Sequence, residues 1–330
     1  MEINNSGIFT VSLDFELYWG LRDKRTIQDY EDNLKGVDKA IERILDLFDE
    51  YEIHATWATV GFLFADDIDD LEGSFPKVMP NYENSNLNPY NYIRECEELD
   101  GRYHFAPEII QKICTYKNQE IGTHTFSHYY CLENGQTEKE FSSDIASAVK
   151  IAKMKGISIE SMVFPRNQWN NDYLSVLNSH GIHSYRGNET GWLYKAVDKT
   201  GETIVRRALR LLDAYINFSG SNSYSIKSIN RTKPCNIPSS RFLRPVSNRL
   251  SAFEGLRKQR IVKALEQAAK SKEVFHLWWH PHNFGVNTED NINFLESILS
   301  AFSDMRSKYG MISLNMREVS KLISDNESHS

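Results

Sequence analysis

No stretch of this 330-residue chain is long and apolar enough to span a membrane. Cysteine is scarce: Cys96, Cys114, Cys131 and Cys235 are widely scattered and form no Cys-x-x-Cys. That excludes a disulfide scaffold and a cysteine-based zinc site, and it fits reduced thiols in a cytoplasmic protein. An excess of positive charge is also missing. The 38 Lys and Arg against 45 Asp and Glu leave a net charge of −7, which argues against a general nucleic-acid binder. The opening residues, Met1-Glu2-Ile3-Asn4-Asn5, have neither the basic start nor the apolar stretch of a secretory signal, so a cytoplasmic location is expected. There is no internal repeat and no low-complexity tract. Aromatic residues are generously supplied, at 12%, which suits a carbohydrate site but suits core packing more often.

What is present is an alternation of strand and helix from end to end. Strands are expected at Ile8 to Leu13, Ile53 to Val60, Glu120 to Thr123, Ser161 to Phe164, His183 to Tyr185, Val274 to Trp279 and Met311 to Leu314. Between them lie helical patterns, among them Asn33 to Glu50, with Val37, Ile41, Ile44, Leu45 and Phe48 on one face. Ser143 to Lys155, Leu256 to Ala269 and Ile292 to Tyr309 follow the same pattern. Repeated βα units predict an α/β fold with a parallel sheet, in one domain over residues 1–330 with its core at about 8–322. Two stretches break the rhythm, about 66–103 and about 219–249, and both are expected to be irregular lids or binding loops.

Polar side chains collect where these strands end. Asp14 and Glu16 are two apart on a strand and so share a face. Such a pair could supply a ligand and a base, although solvated acids at a strand end look the same. His124 and His128 are four apart and would share a face if the chain turned helical after the strand. A carboxylate and two imidazoles can hold a divalent ion and leave a position open for water. Arg166, after Phe164-Pro165, could pair with a catalytic carboxylate, or be an ordinary surface arginine. His280 and His282 flank Pro281, where a His could protonate a leaving amine or pack beside Trp278 and Trp279. His276, in mid-strand, is expected to be a packed core residue.

Together these segments resemble the polysaccharide deacetylase family, also called the NodB-homology family or carbohydrate esterase family four. Glu120-Ile121-Gly122-Thr123-His124-Thr125-Phe126-Ser127-His128 resembles its E-I-G-x-H-[ST]-x-x-H motif, and Ala55-Thr56-Trp57-Ala58-Thr59-Val60-Gly61 its second-strand A-T-F-F-x-x-G. Ser12-Leu13-Asp14-Phe15-Glu16 stands in place of T-F-D-D-G and is similar to a D-x-E form. Pro165-Arg166 departs from R-x-P-Y, the Asp-Trp motif gives way to Tyr185-Arg186-Gly187-Asn188-Glu189, and Trp278-Trp279-His280-Pro281-His282 replaces L-x-H. The resemblance implies a distorted parallel (β/α) barrel of about seven strands. It also implies a divalent metal, usually Zn²⁺, held by one carboxylate and two His. Carried over residue by residue, it makes Glu16, His124 and His128 the metal ligands. Asp14 becomes the base, with the reverse division between Asp14 and Glu16 as the alternative. Arg166 becomes the group orienting Asp14, and His280 the acid, with His282 as second choice. Trp19, Asn167, Trp169, Trp279 and His282 are expected against the substrate, with Trp192 near the site.

The implied reaction is hydrolysis of an N-acetyl group on a sugar, such as a cytosolic precursor or oligosaccharide for a surface glycan. Arg206, Arg207, Arg210, Arg231, Arg241 and Arg244 gather around the second insertion and could meet a diphosphate, though loop arginines are more often simply solvated. The rival readings are an amide hydrolase on a non-sugar substrate, as in allantoinase-like relatives, and a glycan-binding relative without catalysis.

Overall fold

The computed structural model describes residues 6–189, 192–194, 203–229 and 232–325. Strand β1 (Ile8–Phe15) is buried along its whole length and sits centrally in the sheet. Such continuous burial, Ile-Phe-Thr-Val-Ser-Leu-Asp-Phe, is what a strand covered on both faces requires. The remaining strands are β2 (Ala55–Thr59), β3 (Gln119–Thr123), β4 (Ser161–Val163), β5 (Ser184–Arg186), β6 (Cys235–Asn236), β7 (Arg241–Phe242), β8 (Val274–Trp279) and β9 (Ile312–Ser313). Their spatial order is β6-β5-β4-β3-β2-β1-β8-β7, with β9 alongside β1, and every pairing of these strands is parallel. This is the expected distorted (β/α) barrel, with eight strands in the row rather than about seven.

The extra strands come from the second irregular stretch. Cys235, Ile237 and Ser239 donate backbone N–H bonds to His183, Tyr185 and Gly187 on the β5 side. Ser240 and Leu243 donate to His276 and Trp278 of β8. Residues 235–243 therefore bridge the two edges, and this part of the expected lid is a closing element of the barrel. Two-residue strands carry no readable periodicity, which is why the pattern was silent here.

The first irregular stretch holds three short helices, Ile68–Gly73, Pro89–Glu95 and Gly101–His104. None of its residues lines the metal-site cleft described below; they buttress the loops behind it. The Tyr82 hydroxyl accepts from the Tyr130 N–H, and Arg22 donates to the carbonyls of Asn86 and Leu87. The long expected helix breaks at Gly36 into Ile27–Lys35 and Val37–Glu50. At that break a Cβ would sit 2.0 Å from the Gly285 carbonyl oxygen, so glycine lets the helix junction touch the loop that follows β8. The helix expected from Ser143 begins at Glu138 (Glu138–Met154), where Thr137 and Glu140 form a reciprocal capping box.

Candidate metal centre and active-site cleft

The carboxyl ends of β1, β3, β5 and β8 place the functional side chains in one cleft. Glu16 follows β1, and a tight turn at Leu17–Gly20 folds back over it. Gly20 is required by that turn: a Cβ there would lie 2.1 to 2.5 Å from the Glu16 carboxylate. His124 and His128 follow β3. The chain between them is not helical, so a helical turn is not what aligns them. Positive φ angles at Thr125 and His128, 63° and 58°, curl the loop so that both rings point the same way. Leu17, Arg166 and Asn167 also adopt positive φ beside the cleft, a clustering of backbone strain of the kind seen at functional sites.

A residue that the sequence reading missed holds this loop. Asp144, wholly buried on the helix Glu138–Met154, accepts from the N–H groups of Phe126 (2.7 Å) and Ser127 (3.1 Å) and from the Ser127 hydroxyl. Its signal was available: an Asp on the same helical face as Phe141, Ile145, Ala148 and Ile151 has to find partners when that face is buried.

Glu16, His124 and His128 each present a ligand atom, all within 4.8 Å of one another and all buried. The Nε2 atoms of His124 and His128 lie 3.3 and 3.0 Å from Glu16 Oε2. His124 Nδ1–H donates to the Val163 carbonyl at 2.9 Å, which fixes the ring with its Nε2 toward Glu16. His124 Nε2 is buried without a hydrogen-bond partner. Burial lowers His128 to about 4 despite the opposing pull of Glu16, so that ring is neutral. Burial pushes the Glu16 carboxyl up, but His280, His124 and His128 outweigh it and hold the group well below the usual carboxylate range. His128 Nε2 shares a hydrogen bond with Glu16 Oε2, whereas His124 Nε2, 3.3 Å from the same oxygen, has none, so a carboxylate and two imidazole nitrogens converge on one buried point. A divalent cation satisfies such a set, and the residues present fit one.

Asp14 stands beside this group, and its partner is Arg186 rather than Arg166. Arg186, wholly buried at the end of β5, donates from Nη1 to Oδ1 (2.7 Å) and from Nη2 to Oδ2 (2.8 Å). It also donates to the Ser12 hydroxyl (2.9 Å) and Asn167 Oδ1 (3.0 Å), and lies 4.1 Å over the Trp278 ring. Burial raises the Asp14 carboxyl, but Arg186 chiefly, with His124 and His280, brings it below its ordinary value. Arg166 binds Asp23 instead and lies 4.3 Å over the Tyr130 ring, because positive φ at its own position swings it to the far side of the cleft.

His280 Nε2 lies 3.6 Å from Glu16 Oε1 and 3.8 Å from Asp14 Oδ2, and its side chain remains 23% exposed. His282 is buried deeper, its ring 5.1 Å from that of His280, and burial followed by the neighbouring His280 lowers it to about 3. Both line a cleft of about 310 Å³ together with Asp14, Glu16, His128 and Asn167.

The expected aromatic contacts need correcting. Trp19 is wholly buried, donates its indole N–H to the His104 carbonyl at 2.8 Å and packs edge-on to Phe62; it belongs to the core. Trp279 pairs with Leu13 in the register, points to the helix side of β8, and stacks on Phe284. Trp278, paired with Ser12, is the tryptophan that reaches the cleft. Trp169 is half-buried against Tyr185 and does not line the cleft. The Trp192 side chain falls outside the described residues. Cys131 is buried with its thiol pushed well up by burial, so it is inert.

A parallel barrel with a buried ligand set and an arginine-held carboxylate at its carboxyl end has the layout of a metal-assisted hydrolase. The polysaccharide deacetylase profile matches residues 23–185 of this chain. No curated protein sequence matches it. Solved structures share the fold at low identity. A Mycobacterium smegmatis protein assigned to the polysaccharide deacetylases is 10% identical, with a TM-score of 0.60 over 98% of this chain and 92% of its own. The allantoinase PuuE is 11% identical, with a TM-score of 0.52 over 96% and 90%. A GH57-type branching enzyme from Pyrococcus horikoshii is 10% identical, with a TM-score of 0.53 over 94% and 69%.

Proposed function

We propose that this protein is a metal-dependent N-deacetylase that hydrolyses the acetamide of an N-acetylated sugar, a precursor or oligosaccharide destined for a surface glycan. The observation that carries this reading is the convergence of the buried ligand atoms of Glu16, His124 and His128, directly beside the Asp14–Arg186 pair.

Glu16, His124 and His128 would hold the ion, for which zinc is the usual choice with a carboxylate and two imidazoles. When bound, such an ion acidifies a water and polarises a carbonyl oxygen. Asp14, ionised and fixed by two bonds from Arg186, takes the proton of the water that attacks the acetamide carbon. Asn167 braces the same guanidinium. His280, on the opposite side of the two carboxylates and open to the cleft, delivers a proton to the sugar nitrogen as the C–N bond breaks. Acetate and a free amino sugar leave. Trp278 and Phe242 line the cleft and offer apolar faces to the sugar ring. None of the four cysteines is in a disulfide, which supports a reducing, cytoplasmic setting. No helix among the described residues is long and apolar enough to cross a membrane.

The test is acetate release by metal-stripped and Zn²⁺-reloaded protein from a panel of N-acetylated sugars, with allantoin as the non-sugar amide. Metal-dependent acetate release from a sugar is expected. Hydrolysis of allantoin alone would transfer the site to the amide-hydrolase reading. Inertness on every substrate, with metal bound, would leave only a binding role.

A further inference from the structure

The cleft at the metal centre does not end there. It shares Arg166, Asn167, Phe242 and Trp278 with a second cavity of about 610 Å³, built from the helix Ile204–Asp213 and the chain around β7. We infer that this second cavity is a subsite for a phosphate or diphosphate group carried by the sugar, with Arg207, Arg210 and Arg244 as its recognition groups. The inference rests on the deacetylase reading of the neighbouring cleft.

The structure divides the six arginines that the sequence groups together. Arg206 is buried and donates from Nε to the Leu193 carbonyl. Arg241 is buried against Asp213 at 2.7 Å and also donates to the Gly220 carbonyl. Both are structural. Asp213 in turn accepts from Tyr194 and from the N–H groups of Phe218 and Ser219, so its charge is fully used. Arg231 lies outside the described residues. Arg207, Arg210 and Arg244 line the cavity.

Arg244 carries the most weight. It is half-buried, and no carboxylate among the described residues pairs with it. Burial, with Arg210 and Arg257 nearby, lowers its proton affinity. Arg207 and Arg210 approach from the facing helix, so guanidinium groups from two separate elements meet in one space. Planar guanidinium forks match phosphate oxygens. Among the described residues the cavity wall carries one carboxylate, Glu189, which accepts from the Trp278 indole N–H at 3.4 Å. In a chain of net charge −7, a cavity whose described charged lining is five arginines and one glutamate is a local reversal of sign. Ile204, Leu211, Phe242 and Trp278 give the wall apolar faces, and Asn167, Asn188 and Tyr194 add polar ones. A sugar whose acetamide reaches the metal centre would place an attached phosphate on the arginine side of Trp278.

The test has a binding arm and a turnover arm. Calorimetric titration with UDP and with a short-chain polyprenyl phosphate compares the wild type with Arg207→Gln/Arg244→Gln. Wild-type binding of at least one probe is expected, weakened tenfold or more in the double variant, and the better probe identifies the carrier. Binding of neither, or equal binding by the variant, would overturn the subsite. In turnover, the ratio of kcat/KM for a phosphate-linked N-acetyl sugar to that for a neutral N-acetylglucosamine oligomer should fall tenfold or more in the same variant, with partial recovery in Arg244→Lys. An unchanged ratio would also overturn it. The two readings fail separately: phosphate binding without acetate release sinks the deacetylase reading, whereas acetate release without phosphate preference or binding sinks the subsite.

Discussion

Replacing Arg186 with Met separates the two arginines that compete for the role of holding Asp14. Both members of the Asp14–Arg186 pair are buried, with side chains 4% and 0% exposed. Removing one member of such a pair costs about 3–5 kcal/mol, because a buried charge is left uncompensated. That is a large part of the ~5–15 kcal/mol that holds a typical domain together. Arg186→Met should therefore lower the urea midpoint sharply. Asp14→Asn/Arg186→Met should lose less than the sum of the single changes, since the stranded charge is gone. The same variant changes the pH profile. Burial raises the Asp14 carboxyl and Arg186 brings it down, so without Arg186 the carboxyl rises. A base must be ionised to act, so the acid limb of kcat/KM moves to higher pH. At pH values below the new limb the rate falls by as much as the ~10²–10⁴ that general-base catalysis supplies. Arg166→Met, which frees Asp23 instead, should leave that limb in place. The reasoning is refuted if Arg186→Met keeps the wild-type stability and acid limb, or if Arg166→Met is the variant that shifts it.

Three further outcomes follow from the same geometry. Gly20→Ala forces the Glu16 carboxylate aside and should weaken metal binding by about 10–100-fold with the fold intact, as read by equilibrium dialysis and circular dichroism. Asp144→Ala strands the N–H groups of Phe126 and Ser127, at about 1–3 kcal/mol for each buried orphan, and should also loosen the metal. His276, buried and bonded to the Ser12 hydroxyl, is lowered to about 3 by burial and then by Arg186. A depressed histidine means that the unfolded chain binds the extra proton first. Stability is then full above the unfolded value of about 6.5 and falls as the pH drops, by up to ~1.4 kcal/mol per unit. Thermal unfolding between about pH 7 and pH 5 should show this acid slope, and His276→Gln should flatten it.

Much of the site was legible because strand ends and spacing are local properties. Val274–Trp279 was read to the residue, and Asp14, Glu16, His124, His128 and His280 do meet at the carboxyl ends of strands. What failed depended on direction. The His124–His128 spacing suggested a helical turn, whereas the loop achieves the same convergence through two left-handed residues. Arg186 ends β5 and Arg166 follows β4, and which of the two reaches Asp14 is set by the folded barrel and the left-handed backbone at Arg166, not by position in the sequence. Trp278 and Trp279 are adjacent in sequence and opposite in space; the register Ser12 with Trp278 settles which faces the cleft, and register is a tertiary fact. The closing strands β6 and β7 are two residues each and owe their place to the edges of β5 and β8.

The central claim is that Glu16, His124 and His128 hold the ion on which turnover depends. The most direct test titrates metal-stripped protein with Zn²⁺ and follows bound metal and acetate release together, in the wild type and in His124→Ala. The account predicts one tightly bound ion per wild-type chain, activity returning in proportion to occupancy, and loss of both in the variant. Full activity in stripped protein, or in His124→Ala, would contradict it.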